Sequence, residues 1–359
     1  MTCMTDLPIT NPLRVFIHEY ISGGGFAGRP LPPTLLAEGA AMLRALLADF
    51  RAWGVHRLLT TRDARLPTCG LPADEIVAVE PGCYPETFSR LLASSDAALV
   101  IAPESGGLLA GLSGEIERAG LLNFGSTSEA VRIAGDKLLT VERLAAANLP
   151  VPPTVNAPDP QAAKAVGLPL VLKPRDGVGC VGLRFVADES QLITAWQQAQ
   201  AESEGRPLIA QPFVGGVDAS VSLLCDGQDA LAISLNGQEI AFVEGRLAYG
   251  GGTVPLDHPL RDRAMRLAEA ACRLIPGLRG YAGVDLLLAA GGPVIMEINP
   301  RLTTSYVGLR RVVEGNLAAA ICAAAQGKLP GEPLPLSGRV RFSPDGAVAD
   351  LPFSEFSLT

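Results

Sequence analysis

The stretch "MEINPRLTTSYVG" (296–308) sets Glu297, Asn299 and Arg301 at alternate positions. Residues two apart in a β-strand point to the same face. A carboxylate, an amide and a guanidinium would therefore stand side by side, with Met296 and Ile298 turned the other way. Pro300 helps to end regular pairing. The same alternation also fits an edge strand with a solvated polar face.

The residues just upstream supply a partner. "AGVDLLLAAGGPVIMEINPR" reads as two strands joined by a turn around Gly291-Gly292. If Ala289 pairs with Pro293, Asp285 lies directly opposite Glu297. Facing residues in an antiparallel pair have Cβ atoms about 4.5–5.5 Å apart, and like charges there repel. A cation between them removes the repulsion. Carboxylate and amide oxygens without histidine or thiolate are hard ligands that suit Mg²⁺ or Mn²⁺. A bulged, solvated hairpin that keeps the two acids apart is the alternative.

Two further stretches carry polar groups in a usable order. In "VLKPRDGVGCVGLRF" Lys173 ends an apolar strand, and Gly177, Gly179 and Gly182 space a turn and a return strand. Backbone N–H groups in such a loop can cradle phosphate oxygens, and missing Cβ atoms permit close approach. An ordinary hairpin with a solvated lysine fits as well. Lys137 is a second candidate phosphate ligand or a surface helix charge. In "LIAQPFVGGVDASVSLL" a strand ends at Gln211, Phe213 and Val214 follow, and Asp218 comes seven residues after Gln211. An amide, free backbone groups and a carboxylate in that order suit an adenine edge and ribose hydroxyls, or a connector between domains.

These residues need elements to position them. Residues 13–17 read as a short buried strand and 34–50 as a helix, with further strands at "HRLLTT" and "AALVIAP". Strands alternating with helices imply a parallel α/β sheet, whose ligands sit beyond the C-terminal strand ends. Glu19 and Tyr20 fall there after the first strand, and Glu104 and Ser105 after "AALVIA", so all four are candidate substrate residues. "SGGGFAG" (22–28) lacks GxGxxG spacing and reads as a mobile surface loop sooner than a phosphate loop. The helix in 127–148 carries Asp136 and Lys137 and ends at Asn148 before a proline-rich exit. Short strands alternating with helices are expected to continue to about residue 330. The tripled glycine of "LAYGGGTVPLDHP" (247–259), including Gly251, suggests a loop approaching a substrate, or a plain surface turn. The last 25 or so residues read as a strand and a loose tail.

Bulk properties exclude several classes. The 359 residues are 48% apolar and 18% charged, which suits a multi-domain globular protein. No apolar run approaches the roughly 20 residues of a membrane span; "LAAAICAAA" (317–325) reads as a buried helix. The first residues lack the pattern of a signal peptide. Seven cysteines without a CxxC pair imply reduced thiols and a cytoplasmic location. A net charge of −8 with no Lys/Arg cluster speaks against nucleic acid. Three scattered histidines make a histidine-rich metal site a poor expectation.

Taken in order, "DK" before a helix, "VLKPRDGVGCVG", "QPFVGGVD", "GYAGVDLLL" and "MEINPR" resemble the ATP-grasp superfamily. The resemblance covers about residues 127–310. It implies two α+β lobes sandwiching ATP, preceded by a parallel α/β domain, with boundaries at 11–126, 127–212, 213–335 and a tail at 336–359. It also implies roles. Lys137 and Lys173 would bind ATP phosphates under the loop of Gly177, Gly179 and Gly182. Gln211 would read adenine, Phe213 and Val214 would offer backbone contacts, and Asp218 would hold the ribose. Asp285, Glu297 and Asn299 would hold magnesium, with Arg301 at the transferring phosphoryl group. Family members commonly carry glutamate where this chain has Gln211 and Asp218.

Most ATP-grasp relatives are carboxylate–amine ligases that work through an acyl phosphate, so small-molecule acid and amine partners are implied. "HEYISGG", "APESGGLLAGL", "YGGGTVPLDHP" and "EINPRLTTSYVGL" look like the tyramine–glutamate ligases of methanofuran biosynthesis. That resemblance implies glutamate joined to tyramine or tyrosine. Glu19 and Glu104, at expected strand ends that face the ligand crevice, can hold an ammonium group, one of them glutamate's own α-amine. A ligase for another amino acid or dipeptide, and a regulatory ATP-binding module without turnover, stand as alternatives. A homodimer is compatible with all three.

Overall fold

Three sheets divide the chain. The computed structural model describes residues 11–177, 179, 181–243 and 246–352, with backbone only at 242, 243 and 246. Cys3 and Cys180 lie outside the described residues. The first sheet is parallel, in the order β3 (Glu75–Val79), β2 (Arg57–Asp63), β1 (Arg14–Glu19), β4 (Ala97–Ile101), β5 (Leu122–Asn123). Helix α1 (Pro33–Trp53) packs with Val15 and Ile17, whereas α2 (Tyr84–Ala93) and α3 (Leu108–Arg118) pack with Phe16. Covering both faces is why β1 reads as an unbroken apolar run.

The expected helix with Asp136 and Lys137 is present, and a second helix precedes it. Helix α4 (Ser128–Ala134) and α5 (Lys137–Ala146) are separated by Gly135, and Asp136 caps the second by accepting the Leu138 and Leu139 N–H groups, each at 3.1 Å. Asn148 does end α5, in the left-handed region at φ 58°.

The second sheet is antiparallel, in the order β6 (Val155–Asn156), β9 (Leu208–Pro212), β7 (Leu170–Pro174), β8 (Arg184–Val186). Leu170 and Leu172 face α7 (Glu189–Glu202), with the short α6 (Pro160–Ala163) beside it. The strand period therefore turns Val171 and Lys173 to the opposite face.

The third sheet has seven strands, in the order β14 (Gly292–Asn299), β13 (Arg279–Ala289), β10 (Val217–Asp226), β11 (Ala230–Val243), β12 (Arg246–Val254), β15 (Val340–Phe342), β16 (Val348–Asp350). Here the expected alternation of short strands and helices gives way to a meander: β10, β11 and β12 follow one another with no helix between them. Helix α8 (Arg261–Arg273) lays Ala264, Ala268 and Ala271 on one face of the sheet. Helices α9 (Tyr306–Val312) and α10 (Leu317–Ala325) share a core with α1. The stretch 336–359, expected as a tail, supplies β15 and β16.

Two glycine-rich stretches differ from their sequence reading. Residues 21–25 form a turn whose Ile21, Ser22, Gly23 and Gly24 are buried, neither a surface loop nor a phosphate loop. Gly250, Gly251 and Gly252 lie within β12. A Cβ on Gly251 would stand 2.1 Å from the Phe342 carbonyl oxygen, so glycine there lets β15 approach.

Candidate active site

A cavity of about 390 Å³ opens between the four-stranded and seven-stranded sheets. Val171, Lys173 and Gln211 line it from one side, and Asp218, Ser220, Asp285, Leu287, Glu297 and Asn299 from the other. Most of this convergence is the strand period at work. Asp218 and Ser220 share one face of β10, while Ala219 and Val221 enter the core beneath.

The facing acids are brought together by an irregular hairpin. The turn is Ala290-Gly291, one residue earlier than expected, so Ala289 pairs with Gly292 and Leu288 with Pro293. A bulge between Asp285 and Leu286 then absorbs Met296 and restores Asp285 opposite Glu297. Val284 pairs with Ile298, and Gly283 with Asn299.

Their electrostatics differ sharply. Lys137 Nζ sits 3.0 Å from Glu297 Oε2 and donates to the Gly177 carbonyl oxygen at 2.6 Å. Burial works against the Glu297 charge, but Lys137 and Lys173 outweigh it and hold the carboxyl down at about 2. Burial and then the Glu297 charge push Asp285 up to about 8. Asn299 Nδ2 and Gln238 Nε2 donate to Asp285 at 3.0 and 2.9 Å and offset part of that shift. The two acids repel each other at close range, and a divalent cation between them would remove that repulsion. Two carboxylates with the Asn299 amide fit magnesium, which takes few protein ligands and keeps positions for water and phosphate. Among the described residues, no group of three His, Cys, Asp or Glu offers another metal site.

At the other end, the Gln211 amide has a fixed orientation. Thr154 Oγ1 donates to the Pro152 carbonyl at 3.0 Å, so it accepts from Gln211 Nε2 at 2.8 Å. Gln211 Oε1 is buried and has no partner, which leaves an acceptor for an amino group such as that of adenine. Phe213, 47% exposed, and Phe185 border the same end with ring centroids 5.0 Å apart. Val214 also lines the cavity. Gly177 and Gly179 line it beside Lys173, and Gly182 anchors the hairpin at φ 72°.

Arg301 lines the cavity but is not alone. Its Nε lies 2.9 Å from Glu104 Oε1, Nη2 donates to Oε2 at 3.1 Å, and Nη1 donates to the Leu302 carbonyl at 3.0 Å. Glu104 is therefore the seat of Arg301. The other expected substrate residues lie elsewhere. Glu19 accepts the Ile21 and Ser22 N–H groups at 2.9 and 2.7 Å and is 2% exposed. Tyr20 packs on Phe26 and Tyr84. Neither these two nor Ser105 nor Gly251 borders the cavity.

The cavity also holds residues that the motifs did not single out: Glu38, Gln238, Tyr249, Thr303, Thr304 and Ser305. The "TTS" run that follows Arg301-Leu302 was the available signal for the last three. Tyr281 Oη backs them, within 3.1 Å of Thr303 Oγ1, 3.2 Å of Ser305 Oγ and 2.7 Å of Ser222 Oγ. Glu38 reaches the cavity from α1, and no local pattern announces it.

The sequence matches a known family. Residues 134–305 match the model of an ATP-grasp domain, and residues 56–131 that of a pre ATP-grasp 3 domain. The tyramine–L-glutamate ligase of Methanocaldococcus jannaschii is 31% identical over 82% of this chain and 84% of its own length. That of Methanocaldococcus fervens is 35% identical over 82% and 89%. Among solved structures, the biotin carboxylase domain dimer of the Hydrogenobacter thermophilus 2-oxoglutarate carboxylase, in complex with MgADP, ADP and bicarbonate, superposes with a TM-score of 0.72. It is 15% identical and covers 91% of this chain and 73% of that one, so its likeness bears on the fold. The chain belongs to the ATP-grasp family, with a pre-ATP-grasp domain ahead of the grasp.

Proposed function

We propose that this ATP-dependent ligase joins the γ-carboxylate of glutamate to the primary amine of tyramine or tyrosine, in the biosynthesis of a methanofuran-type one-carbon carrier. The ATP-grasp carboxylate–amine ligase class follows from the family. The finer substrate reading is supported by the two tyramine–glutamate ligases that match most of the chain.

One observation carries the chemistry: the apposed Asp285 and Glu297 share a cavity with Lys137, Lys173 and Arg301. Magnesium, when bound by Asp285, Glu297 and Asn299, supplies charge neutralisation at the transferring phosphoryl group. Lys137 and Lys173 hold phosphate oxygens, and the glycine hairpin covers them with backbone N–H groups. Gln211 Oε1 accepts from the adenine amino group, and Asp218 takes ribose hydroxyls. Arg301, held by Glu104, keeps its remaining N–H groups for the phosphoryl oxygens and the oxyanion at the acyl carbon. No side-chain nucleophile is needed, because positioning and charge carry both the phosphorylation and the amide-forming step.

The test is ADP release with ATP, Mg²⁺ and glutamate, using tyramine, tyrosine, phenethylamine and simple alkyl amines, followed by product mass. A γ-glutamyl amide with a phenolic amine is expected, with phenethylamine slower if the phenol hydroxyl meets a buried partner. Equal rates for all amines, or no glutamate-dependent product, would remove the substrate assignment.

A further inference from the structure

From the geometry we infer that Glu38 is the residue that receives the attacking amine, binding its ammonium form and taking up the proton that must leave before attack. This inference rests on the ligase reading above and assigns a role that no motif carried. Among the described residues, Glu38 is the one residue of the first 126 that lines the cavity. It sits in the second turn of α1 with Gly39 beside it, where a Cβ would strike the Glu19 carboxylate 2.4 Å away. The close packing at Gly39 fixes this turn of the helix, and so the direction from which Glu38 enters.

The other two carboxylates expected to hold an ammonium group are engaged. Glu19 caps two backbone N–H groups, and Glu104 is forked onto Arg301. Lys137 is paired with Glu297. Glu38 lines the cavity together with Tyr249, Thr304 and Arg301, the last of which already holds Glu104. Burial pushes its carboxyl up, and Arg301 and Thr304 pull it partly back, which suits a group that must gain and lose a proton.

Position decides which substrate nitrogen it meets. With Arg301 acting at the transferring phosphoryl group as proposed above, a carboxylate that shares its end of the cavity lies toward the reacting acyl carbon. The α-ammonium of glutamate is three carbons removed from that carbon. In the step itself, Glu38 takes one proton from the ammonium group and leaves a neutral nitrogen. Its lone pair forms the C–N bond, the acyl C–O bond breaks, and its electrons leave with phosphate. The second nitrogen proton leaves with that phosphate, giving amide and hydrogen phosphate.

Hydroxylamine separates this role from the alternatives, because it is largely neutral at pH 7 and traps an acyl phosphate without needing a base. With ATP, Mg²⁺ and glutamate, Glu38→Gln should lose tyramine-dependent amide formation about 100-fold, within the range of general-base catalysis. γ-Glutamyl hydroxamate formation should stay within about twofold of the parent protein. That retained activity also shows that the variant folds. Glu38→Asp, which keeps a carboxylate, should recover part of the tyramine rate. A parallel loss of hydroxamate in both variants would reassign Glu38 to the acid substrate or to structure. An unchanged tyramine rate would remove it from the reaction. A parent protein that makes no hydroxamate would instead overturn the ligase reading.

Discussion

Glu297 answers to two lysines on one side and a second acid on the other, and that position sets what its loss should do. Glu297→Gln keeps the shape but leaves Lys137 without its 3.0 Å ion pair and halves the charge offered to magnesium. Turnover at saturating substrate should fall by about three orders of magnitude, in line with several kcal/mol of metal-mediated stabilisation. Circular dichroism should show an unchanged fold. Undiminished turnover would take Glu297 out of the mechanism. Arg301→Lys probes geometry instead of charge. A lysine cannot repeat the fork onto Glu104, so the cation loses its seat as well as its planar donors. Steady-state kinetics should show kcat falling more than KM rises, whereas a pure KM effect would place Arg301 in substrate binding. Glu297 and Asn299 were legible because strand period is a local property, whereas Arg301 lies past the end of β14 and reaches the cavity from the bend that follows. Glu38 and Gln238 were not legible, because only tertiary packing brings them to the cavity.

At the scale of elements, the hairpin shows how a right conclusion can rest on a compensated detail. The expected turn was one residue late, and the bulge at Met296 cancelled the error, so Asp285 still meets Glu297. Without the bulge Glu297 would point into the core that holds Ile295 and Ile298. Strands β1 and β4 and helices α1 and α10 were legible from apolar runs of the right length. The meander of β10 to β12 was not, since long antiparallel strands around glycine-rich segments lack a helix-period contrast to mark their ends. The glycine hairpin offers a test at this scale. Gly182 has φ 72°, and an added Cβ would stand 3.0 Å from Pro174 Cγ and 3.3 Å from the Ala199 carbonyl oxygen. Gly182→Ala would strain the return strand by about 1–3 kcal/mol and shift the phosphate cover away from Lys173. KM for ATP should rise about tenfold with kcat less affected. An unaltered KM would mean that the hairpin does not hold the nucleotide.

The whole molecule is tied together by α1, which belongs in sequence to the first sheet and in packing to the last two helices. Its Leu43, Leu46 and Phe50 share one core with Tyr306, Leu309 and Ile321. Asp49 fastens this junction. Its Oδ2 accepts the Tyr306 hydroxyl at 2.6 Å, its Oδ1 accepts Arg310 Nε and Nη2 at 2.8 and 2.6 Å, and its carbonyl accepts Asn316 Nδ2 at 2.7 Å. The same helix brings Glu38 to the cavity. The four-stranded sheet has a separate core built on α7. Removing one partner from a buried ion pair leaves the other uncompensated and commonly costs 3–5 kcal/mol. Asp49 is only partly screened, with 10% side-chain exposure against 24% for Arg310. Asp49→Ala should therefore lower stability by about 3 kcal/mol. Urea unfolding should show the first sheet and the seven-stranded sheet melting together at a lower midpoint, because α1, α9 and α10 build one core between them. Turnover of the folded fraction should stay within about twofold, since Asp49 does not border the cavity. Two separated transitions, with only the first sheet shifted, would show instead that the shared core does not couple the domains.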